Sequence, residues 1–593
     1  LEAMAAGRPV IAYGAGGALD TVIEGLTGRF FAEQSAGALA AAVAASRADV
    51  YDPTVIRQHA EAFGRELFIE RIRALVDQQM HHGNAGTLSL LGGRDPMLKS
   101  ILGGQLAIGG SLRGLSGADG GTLSLLAPTI QVGGVAAFPN TLLLDPAFFS
   151  QGGFKSFTMT GLGSAPAGVD SSNPAIIIAP GTVITPVVSS LQANVSTQSG
   201  RSLVTLATLL QPEGYRNTVS LDFRAPGVLD SSSNELLVRG RIEMGAGSLI
   251  STDALGKVTL HGQTVQMLGG IIAPGGEVLI HGSSQYPENT ASNFAYTTVQ
   301  LGSTASISTA GKTVYRYDIL GRRSGTVHAG GSITVEGNLI AEAGAMLDVS
   351  GTAAVLDLTP EQAGNPLRSI GSVTEWFQPA ELVPTLVMSN AGHIALTGGQ
   401  FLFSRATLLG QAGGVNAQGG TLSIDSGRFY IPGGLKDDRD ITLIVAQDMS
   451  AFAVPASGLG VTPGIPALGY FGANTFQNGG FDSLHIGGNV EFRGAVTLNG
   501  RGALSIADGG VIQADALTTL TAAYVKLGLT LGQPVRDEEL VNPFEKDNAG
   551  GGGTVPSYFS PTAGGGRLVV TADLVETGFL SLQGIGSAAI TAR

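Results

Sequence analysis

The sequence contains no cysteine, so neither a disulfide framework nor a thiolate metal site is available to it. It also lacks a run of about 18 uninterrupted apolar residues, and we therefore expect no transmembrane helix. Only 13% of its residues are charged, and its net charge of −13 offers no basic stripe for nucleic acid or an anionic membrane surface. These shortages argue against disulfide-stabilised, membrane-spanning and nucleic-acid-binding proteins.

Catalytic motifs are missing as well. The sequence has no G-x-S-x-G motif, no P-loop and no cysteine nucleophile. Its eight histidines show no metal-ligand spacing, and His81 and His82 are adjacent, so a helix or strand would point them apart. We therefore expect no catalytic residue, no metal and no cofactor. The dense acidic groups are interpreted as solvated loops; they are Asp437, Asp438 and Asp440, and Asp537, Glu538 and Glu539.

Glycine is abundant, and its distribution divides the chain. The first 85 residues hold 17 charged residues and 9 glycines, whereas the remaining 508 hold 62 charged residues and 80 glycines. The change falls within "QQMHHGNAGTLSLLGG", residues 78–93. This shift in composition predicts a first domain over residues 1–80, a linker over 81–86 and a second domain over 87–593.

Residues 1–80 carry the pattern of a small α/β fragment of the Rossmann type. "LEAMAA" predicts a helix, residues 9–12 a strand, and "GAGG" a glycine-rich loop. A second strand follows in "GLTGRFF", and "SAGALAAAVAAS" predicts a compact helix. Asp52 and Pro53 are the favoured pair at the cap and first position of a further helix.

The stretch "LEAMAAGRPVIAYGAGGALDTVIEGLTGRFF", with the later "HAEAFGRELFIERI", resembles the C-terminal end of retaining GT-B glycosyltransferases of the family 4 type, which includes sucrose synthase-like enzymes and mannosyltransferases. The resemblance implies a partial nucleotide-sugar-binding domain. It assigns Glu2 to the ribose and places Gly14, Gly16 and Gly17 beside the donor. The family's first motif Glu would precede Leu1, and its acceptor domain is missing from this sequence, so we expect no turnover. A solvated Glu on a first helical turn is the alternative for Glu2.

From Gly86 onward, apolar and polar residues alternate and glycine punctuates the alternation. Examples are "GGSITVEGNLIAEAGAMLDVSG" at 330–351 and "GGTLSIDSGRFYIPGG" at 419–434. Such short strands bury their apolar face only when successive coils stack. The pattern predicts a mainly β fold, a parallel β-helix of 15 to 20 coils with glycines supplying positive φ at the corners. In one repeat, five apolar residues are predicted to point to the same side: Ile333, Val335, Leu339, Leu347 and Val349.

Three stretches interrupt this pattern and are predicted to be loop insertions near 283–299, 352–388 and 534–566. The second contains the only tryptophan. For Trp376 and its neighbour Phe377, two roles remain open: packing of the insertion, or contact with a ligand.

The same region resembles filamentous haemagglutinin-like exoproteins of two-partner secretion, most specifically in "GGSITVEGNLIAEAGAMLDVSG" and "GGGRLVVTADLVETGFLSLQGIGSAAITAR". The resemblance implies a right-handed β-helix, export through an outer-membrane transporter partner, and attachment to glycans or proteins of a host or another surface. It implies a secreted or cell-surface location, whereas the glycosyltransferase family is cytoplasmic. The signal sequence and secretion domain of the exoproteins are not recognisable, and the sequence is expected to be truncated at its start.

Three functions remain open from the sequence. The chain is an adhesin-like solenoid, a glycosyltransferase-derived protein that binds a nucleotide-sugar through Glu2, Gly16 and Gly17, or a polysaccharide-cleaving β-helix. The third needs carboxylates that converge on one face of a sheet, and the sequence shows no such set. A binding titration with UDP- or GDP-sugars distinguishes the first two, since the absence of binding leaves only the first.

Overall fold

A computed structural model of the chain describes residues 1–61, 63, 83–94, 102–166, 168, 171–198, 201–230, 232–233, 235–283, 295–318, 321–360, 362–363, 382–427, 441–530 and 560–593. The chain divides into two compact units, Leu1–Gly83 and Asn84–Arg593. Unit 1 and unit 2 denote these ranges below, and each is described by itself. No helix in the described ranges is both long enough and apolar enough to cross a membrane.

Unit 1 is an α/β fragment, as the sequence predicts. Its helices are α1 (Glu2–Ala5), α2 (Ala18–Thr21), α3 (Ala36–Ser46) and α4 (Pro53–Glu61), and its strands β1 (Val10–Tyr13) and β2 (Gly28–Phe31) pair in parallel.

Side-chain caps set two of these helix starts. The Ser35 hydroxyl accepts a hydrogen bond from the Ala38 N–H at α3, and the Asp52 carboxylate accepts one from the Thr54 N–H at α4. Each cap satisfies a backbone N–H that has no partner within its helix.

Unit 2 is built from three parallel sheets. Sheet 1 has 15 strands, of which 14 follow one another in hydrogen-bonded order: Thr87–Leu91, Gly121–Ala127, Phe154–Gly161, Ser220–Ala225, Lys257–Gly262, Glu277–His281, Ser332–Glu336, His393–Gly398, Thr421–Ser426, Ser483–Ile486, Ala503–Ile506, Leu517–Leu527, Gly566–Thr577 and Ile585–Ala592. The fifteenth, Val496–Asn499, pairs with Leu517–Leu527.

Sheets 2 and 3 have 13 and six strands. Sheet 2 contains, in hydrogen-bonded order, Thr141–Leu144, Thr129–Val132, Ile176–Ile178, Arg241–Met244, Thr264–Met267, Val299–Leu301, Leu339–Ala341, Leu402–Ser404, Gly469–Gly472, Leu443–Ala446, Val490–Phe492, Val511–Ala514 and Ser581–Gln583. Sheet 3 contains Val183–Ile184, Leu249–Ser251, Gly270–Ile272, Ser306–Ser308, Met346–Asp348 and Thr407–Leu409.

The chain visits the three sheets in a repeating order. It runs from Lys257–Gly262 in sheet 1 to Thr264–Met267 in sheet 2 and Gly270–Ile272 in sheet 3, then re-enters sheet 1 at Glu277–His281. Lys257 pairs in register with Glu277, so this coil has 20 residues. The mainly β architecture with long parallel sheets is consistent with the predicted β-solenoid.

Inward-pointing residues of successive coils stack into one continuous apolar core. Along sheet 1, Val258, Val278, Ile333 and Ile394 occupy the same register position and are fully buried. Each such side chain contributes about 1.5–3 kcal/mol on burial. The five residues predicted to point to one side are all at most 1% exposed and all belong to this core, namely Ile333, Val335, Leu339, Leu347 and Val349.

Glycines at one corner serve close packing of the backbone rather than positive φ, which corrects the expectation for these positions. A Cβ at Gly276, Gly331 or Gly392 would collide with the carbonyl oxygen of the glycine one coil earlier, and none of the three has a positive φ. Positive φ does occur at other turns, for example Gly247 and Gly344. Both requirements exclude larger residues, but for different physical reasons.

Within the described ranges, sheet 1 has 14 strands in consecutive hydrogen-bonded order, compared with the 15 to 20 coils that the sequence predicts. Among the residues that the structure describes, antiparallel hairpins leave the coils at four places: Ser190–Gln198 with Arg201–Leu209, Val228–Leu229 with Leu236–Val238, Thr313–Tyr317 with Arg323–Val327, and Ala353–Leu358 with Val383–Met388. The fourth lies in the predicted insertion at 352–388, whereas Trp376 and Phe377 lie outside the described residues.

A second apolar core lies on the outer face of sheet 2. Residues 447–468, which we call the strap, include a 3-10 helix at Met449–Ala451 and precede Gly469–Gly472. Strap residues pack with Phe403, Ile444 and Tyr470, whose side chains are at most 5% exposed. The Tyr470 hydroxyl donates to the Pro466 carbonyl at 3.1 Å, and burial raises the pKa of Tyr470 to about 12. The strap is followed by the helix α5 (Ala473–Asn478), and another 3-10 helix of described unit 2 lies at Pro146–Ser150.

Candidate functional site

Glu2, the residue that the glycosyltransferase resemblance assigns to the ribose, lies on the first turn of α1. Met4 anchors this short helix in a small core with Ile56 and Ala60. The Glu2 side chain is exposed, and among the described residues its carboxylate has no hydrogen-bond or ion-pair partner. Glu2 is therefore accessible to a ligand, and it is equally compatible with a solvated surface residue.

The glycine-rich loop follows β1. The Gly14 N–H donates to the Phe31 carbonyl at 3.0 Å, which ties the loop to the end of β2. Gly16 has a φ of +60°, a conformation that favours glycine, and Gly17 caps α2. A Cβ at Gly16 or Gly17 would meet no atom within 4 Å, so the space over this loop is open. No hydrogen bond in the described part of unit 1 joins this loop to the Glu2 side chain.

A charged cluster that the sequence did not reveal fixes β2. Arg29 donates from Nε and Nη2 to the two oxygens of Asp49 at 2.9 and 2.8 Å, and the Tyr51 hydroxyl donates to Asp49 Oδ2 at 2.8 Å. These hydrogen bonds, first that of Arg29, lower the pKa of Asp49. The Glu24 carboxylate accepts from the Phe30 N–H at 2.6 Å. Since Arg29 is bound within the fold, we interpret the cluster as structural and not as a phosphate site.

We expect Asp49→Asn to lower the melting temperature of unit 1 at pH 7, because it removes the negative partner of Arg29 and Tyr51. Folding lowers the pKa of Asp49, so its carboxylate stabilises the fold above about pH 4, the pKa of free aspartate. This stabilisation is lost as the pH falls from there through the lowered pKa of Asp49. Thermal unfolding followed by circular dichroism at pH 7 and pH 3 checks this. Asp52→Asn is the matched control, since asparagine preserves the cap of α4. An unchanged melting temperature at pH 7 contradicts the prediction.

Unit 1 exposes many apolar side chains and forms no deep cleft in its described part. Leu39 and Val43 on α3 are 42% and 38% exposed, and with Arg47 they line a shallow depression of about 420 Å³. Leu19 and Ile23, which follow the glycine-rich loop in the chain, are 58% and 43% exposed. The residues predicted to bind the donor therefore lie on an open surface.

A row of ionisable side chains runs across the outer face of sheet 1. Pairing places Arg224, His261, His281 and Glu336 at the same register position of four successive coils. The rings of His261 and His281 are 4.5 Å apart, and His281 Nδ1 lies 2.9 Å from a Glu336 oxygen. Asp222 lies two residues before Arg224 and pairs with it. In the described part of the chain, no three His, Asp or Glu side chains are arranged to hold a metal ion.

We expect unit 2 to lose stability between pH 7.5 and pH 5.5. The pKa of His261 is lowered mainly by burial and further by the charges of His281 and Arg224. The pKa of His393 is likewise lowered mainly by burial and further by the charge of His485. A histidine with a lowered pKa binds its proton more readily in the unfolded chain, whose histidines titrate near pH 6.5. The free energy of unfolding therefore falls as the pH drops below about 6.5. Urea midpoints measured at the two pH values check this.

The double variant His261→Asn/His393→Asn is the control for this prediction. Its urea midpoint should change less between the two pH values than that of the unmodified protein. An equal change in both proteins would assign the pH dependence to other groups.

Comparison with known proteins gives one family. The family model described as glycosyl transferases group 1 matches residues 1–56, less than a tenth of the 593 residues. No curated protein and no solved structure matches the chain. Residues 1–56 are thus similar to part of a glycosyltransferase, and unit 2 is mainly β with long parallel sheets. The acidic groups at 437–440 and 537–539, and the pair His81 and His82, lie outside the described residues.

Proposed function

We propose that unit 2 is the shaft of an adhesin-like β-solenoid of the filamentous haemagglutinin type, with a right-handed coil, which mediates attachment. The observation that carries this proposal is the difference between the interior and the exterior of unit 2. The inward positions form one uninterrupted apolar core, whereas the outward positions and hairpins vary from coil to coil. Such a scaffold presents many separate contacts along one axis, and multivalent binding then strengthens weak individual contacts.

The proposal includes a location and partners. The protein is secreted or held on a bacterial cell surface, an outer-membrane transporter exports it, and glycans or proteins of another surface bind it. The resemblance of the repeats supports this part. The negative net charge of −13 also supports contacts by specific loops over general adsorption to anionic surfaces.

Attachment is tested with beads coated with the whole chain and applied to epithelial cell monolayers. We expect these beads to resist washing in larger numbers than beads coated with albumin at equal density. Soluble chain added in excess should compete with the beads, since it occupies the same receptors. Equal retention of the two kinds of bead would contradict an attachment function on this surface.

A second candidate function rests on the family match over residues 1–56. We propose that unit 1 binds a nucleotide-sugar weakly through Glu2, Gly16 and Gly17. The accessible carboxylate and the open space over the loop support this proposal.

We expect isothermal titration with UDP-glucose or GDP-mannose to detect binding, and Glu2→Gln to weaken it by about tenfold, because a charged hydrogen bond to the ribose is lost. Glu33→Gln, which changes another exposed carboxylate of unit 1, should bind as the unmodified protein does. If neither nucleotide-sugar binds, the attachment function of unit 2 remains and this second function is rejected.

A further inference from the structure

Two tyrosine side chains are exposed to solvent on one hairpin of unit 2. Tyr315 and Tyr317 occupy alternate positions of the strand Thr313–Tyr317, so their rings lie on the same side of the hairpin. The ring planes are 22° from parallel and the centroids are 5.6 Å apart. The two residues are 37% and 63% exposed. Large aromatic side chains at this exposure are uncommon in described unit 2, where the interior takes most of them.

A polar pair borders these rings. Tyr317 lies directly across the hairpin from Arg323. The Arg323 guanidinium donates to Asp357 of the neighbouring hairpin at 2.9 Å, and the Arg323 backbone N–H donates to the same carboxylate at 2.7 Å. We call the surface formed by Tyr315, Tyr317, Arg323 and Asp357 the tyrosine face. It combines aromatic ring faces with a planar donor and acceptor pair whose charges offset each other.

The opposite side of the same strand is anchored. The Arg316 guanidinium lies 5.0 Å from the centroid of the Tyr215 ring and donates to the Gly214 carbonyl at 2.6 Å. Lys312 donates to both oxygens of Glu213 at 2.8 and 2.7 Å. The hairpin is therefore held on this opposite side by contacts that do not use the tyrosine face. A binding surface held in one conformation loses little entropy when a ligand binds.

The size of the tyrosine face selects the kind of ligand. A tyrosine side chain has about 150–250 Å² of surface, so the two rings expose roughly 200 Å² together. A stable protein–protein interface needs about 800 Å² on each partner, and the face is far smaller. A pyranose ring fits this area, because its C–H face packs on an aromatic ring while its hydroxyl groups bond to planar polar side chains.

We propose that the tyrosine face binds an uncharged oligosaccharide. The inference rests on the attachment function proposed for unit 2 and assigns one of its contacts to Tyr315, Tyr317, Arg323 and Asp357. An uncharged ligand follows from the pairing of Arg323 with Asp357, since their opposite charges leave no net charge on the face. The rings provide the apolar contact, and the remaining N–H groups of Arg323 and oxygen lone pairs of Asp357 bond to sugar hydroxyls.

The test uses the whole chain and four immobilised probes: cellohexaose, chitohexaose, maltohexaose and, as an acidic counterpart, hexagalacturonate. Bio-layer interferometry at 50 mM and 500 mM NaCl gives the affinities. We expect at least one uncharged probe to bind with little dependence on salt. Tyr315→Ala/Tyr317→Ala should weaken this binding by about tenfold or more, because both ring contacts are lost. Tyr315→Phe/Tyr317→Phe should stay within about threefold, because the rings remain.

Phe579→Ala is the control, since it removes another exposed aromatic ring of unit 2, 48% exposed, and should bind as the unmodified protein does. Binding to none of the uncharged probes overturns the proposal, as does an unweakened alanine double variant. Binding only to hexagalacturonate with loss at high salt overturns it in favour of an ionic site. If coated beads attach to cells while the uncharged probes do not bind, this inference fails and the attachment function stands.

Discussion

Ile280→Asp is expected to unfold the coils around residues 257–281. Ile280 points into the core between Leu260 and Val335 of the adjacent coils, and all three side chains are fully buried. A carboxylate at this position finds no partner, and an uncompensated buried charge costs about 4–5 kcal/mol or more. Hydrogen exchange followed by mass spectrometry should show rapid exchange in this coil and in its two neighbours.

Leu279→Asp is the matched control for this substitution. Leu279 is one residue earlier and points outward between Thr259 and Thr334, so its replacement should change exchange in these coils little. The contrast between adjacent residues tests the period of two directly. Equal damage from the two substitutions would contradict the register on which the core depends.

Phe403→Ala is expected to lower the free energy of unfolding by about 3–5 kcal/mol, the usual range for a buried phenylalanine. Phe403 is 1% exposed although it occupies an outward position of sheet 2, because the strap covers it. The loss should be accompanied by faster hydrogen exchange in residues 449–468, whose packing surface disappears. Chemical denaturation and hydrogen exchange check the two effects separately.

The same change at Phe579, which is 48% exposed, should leave both measurements near those of the unmodified protein. If hydrogen exchange in the strap is unchanged after Phe403→Ala, the strap is not held in place by the second core, and the prediction is contradicted.

The repeats could be predicted from sequence because their signal is local and recurs. In "GGSITVEGNLIAEAGAMLDVSG", alternation identifies Ile333 and Val335 as inward residues, and the same pattern returns coil after coil. Of the hairpins in the described residues, the one at 353–388 lies in a predicted insertion, whereas the other three were not predicted, because their strands alternate in the same way. "KTVYRYDI", which contains Tyr315 and Tyr317, has the period of a solenoid strand and gives no sign that it leaves the coil.

The second core left a trace in the sequence that alternation alone does not explain. Phe401, Leu402 and Phe403 are consecutive and apolar, so one face of that strand would carry phenylalanine into solvent. Such a run indicates a strand buried on both faces. The sequence could not show which segment covers this face, because the strap that packs on Phe403 lies about 45 residues further along the chain.

Among the site residues, features that depend on local sequence patterns could be predicted, whereas contacts between distant segments could not. The position of Glu2 on a first helical turn and the open loop at Gly16 and Gly17 follow local patterns, whereas their binding role stays a prediction. The pairing of Arg29 with Asp49 spans 20 residues and the intervening α3, and no periodicity signals it. Contacts between distant segments depend on the tertiary fold, and the tyrosine face with Asp357 belongs to this class.

We propose that attachment is a property of unit 2 and does not require unit 1. The large apolar core contains only residues of unit 2, so residues 84–593 are expected to fold without the first 83. The direct test compares beads coated at equal density with residues 84–593 and with the whole chain on the same cell monolayers. We expect beads of both kinds to be retained equally. Loss of attachment on removing residues 1–83 would contradict the proposal.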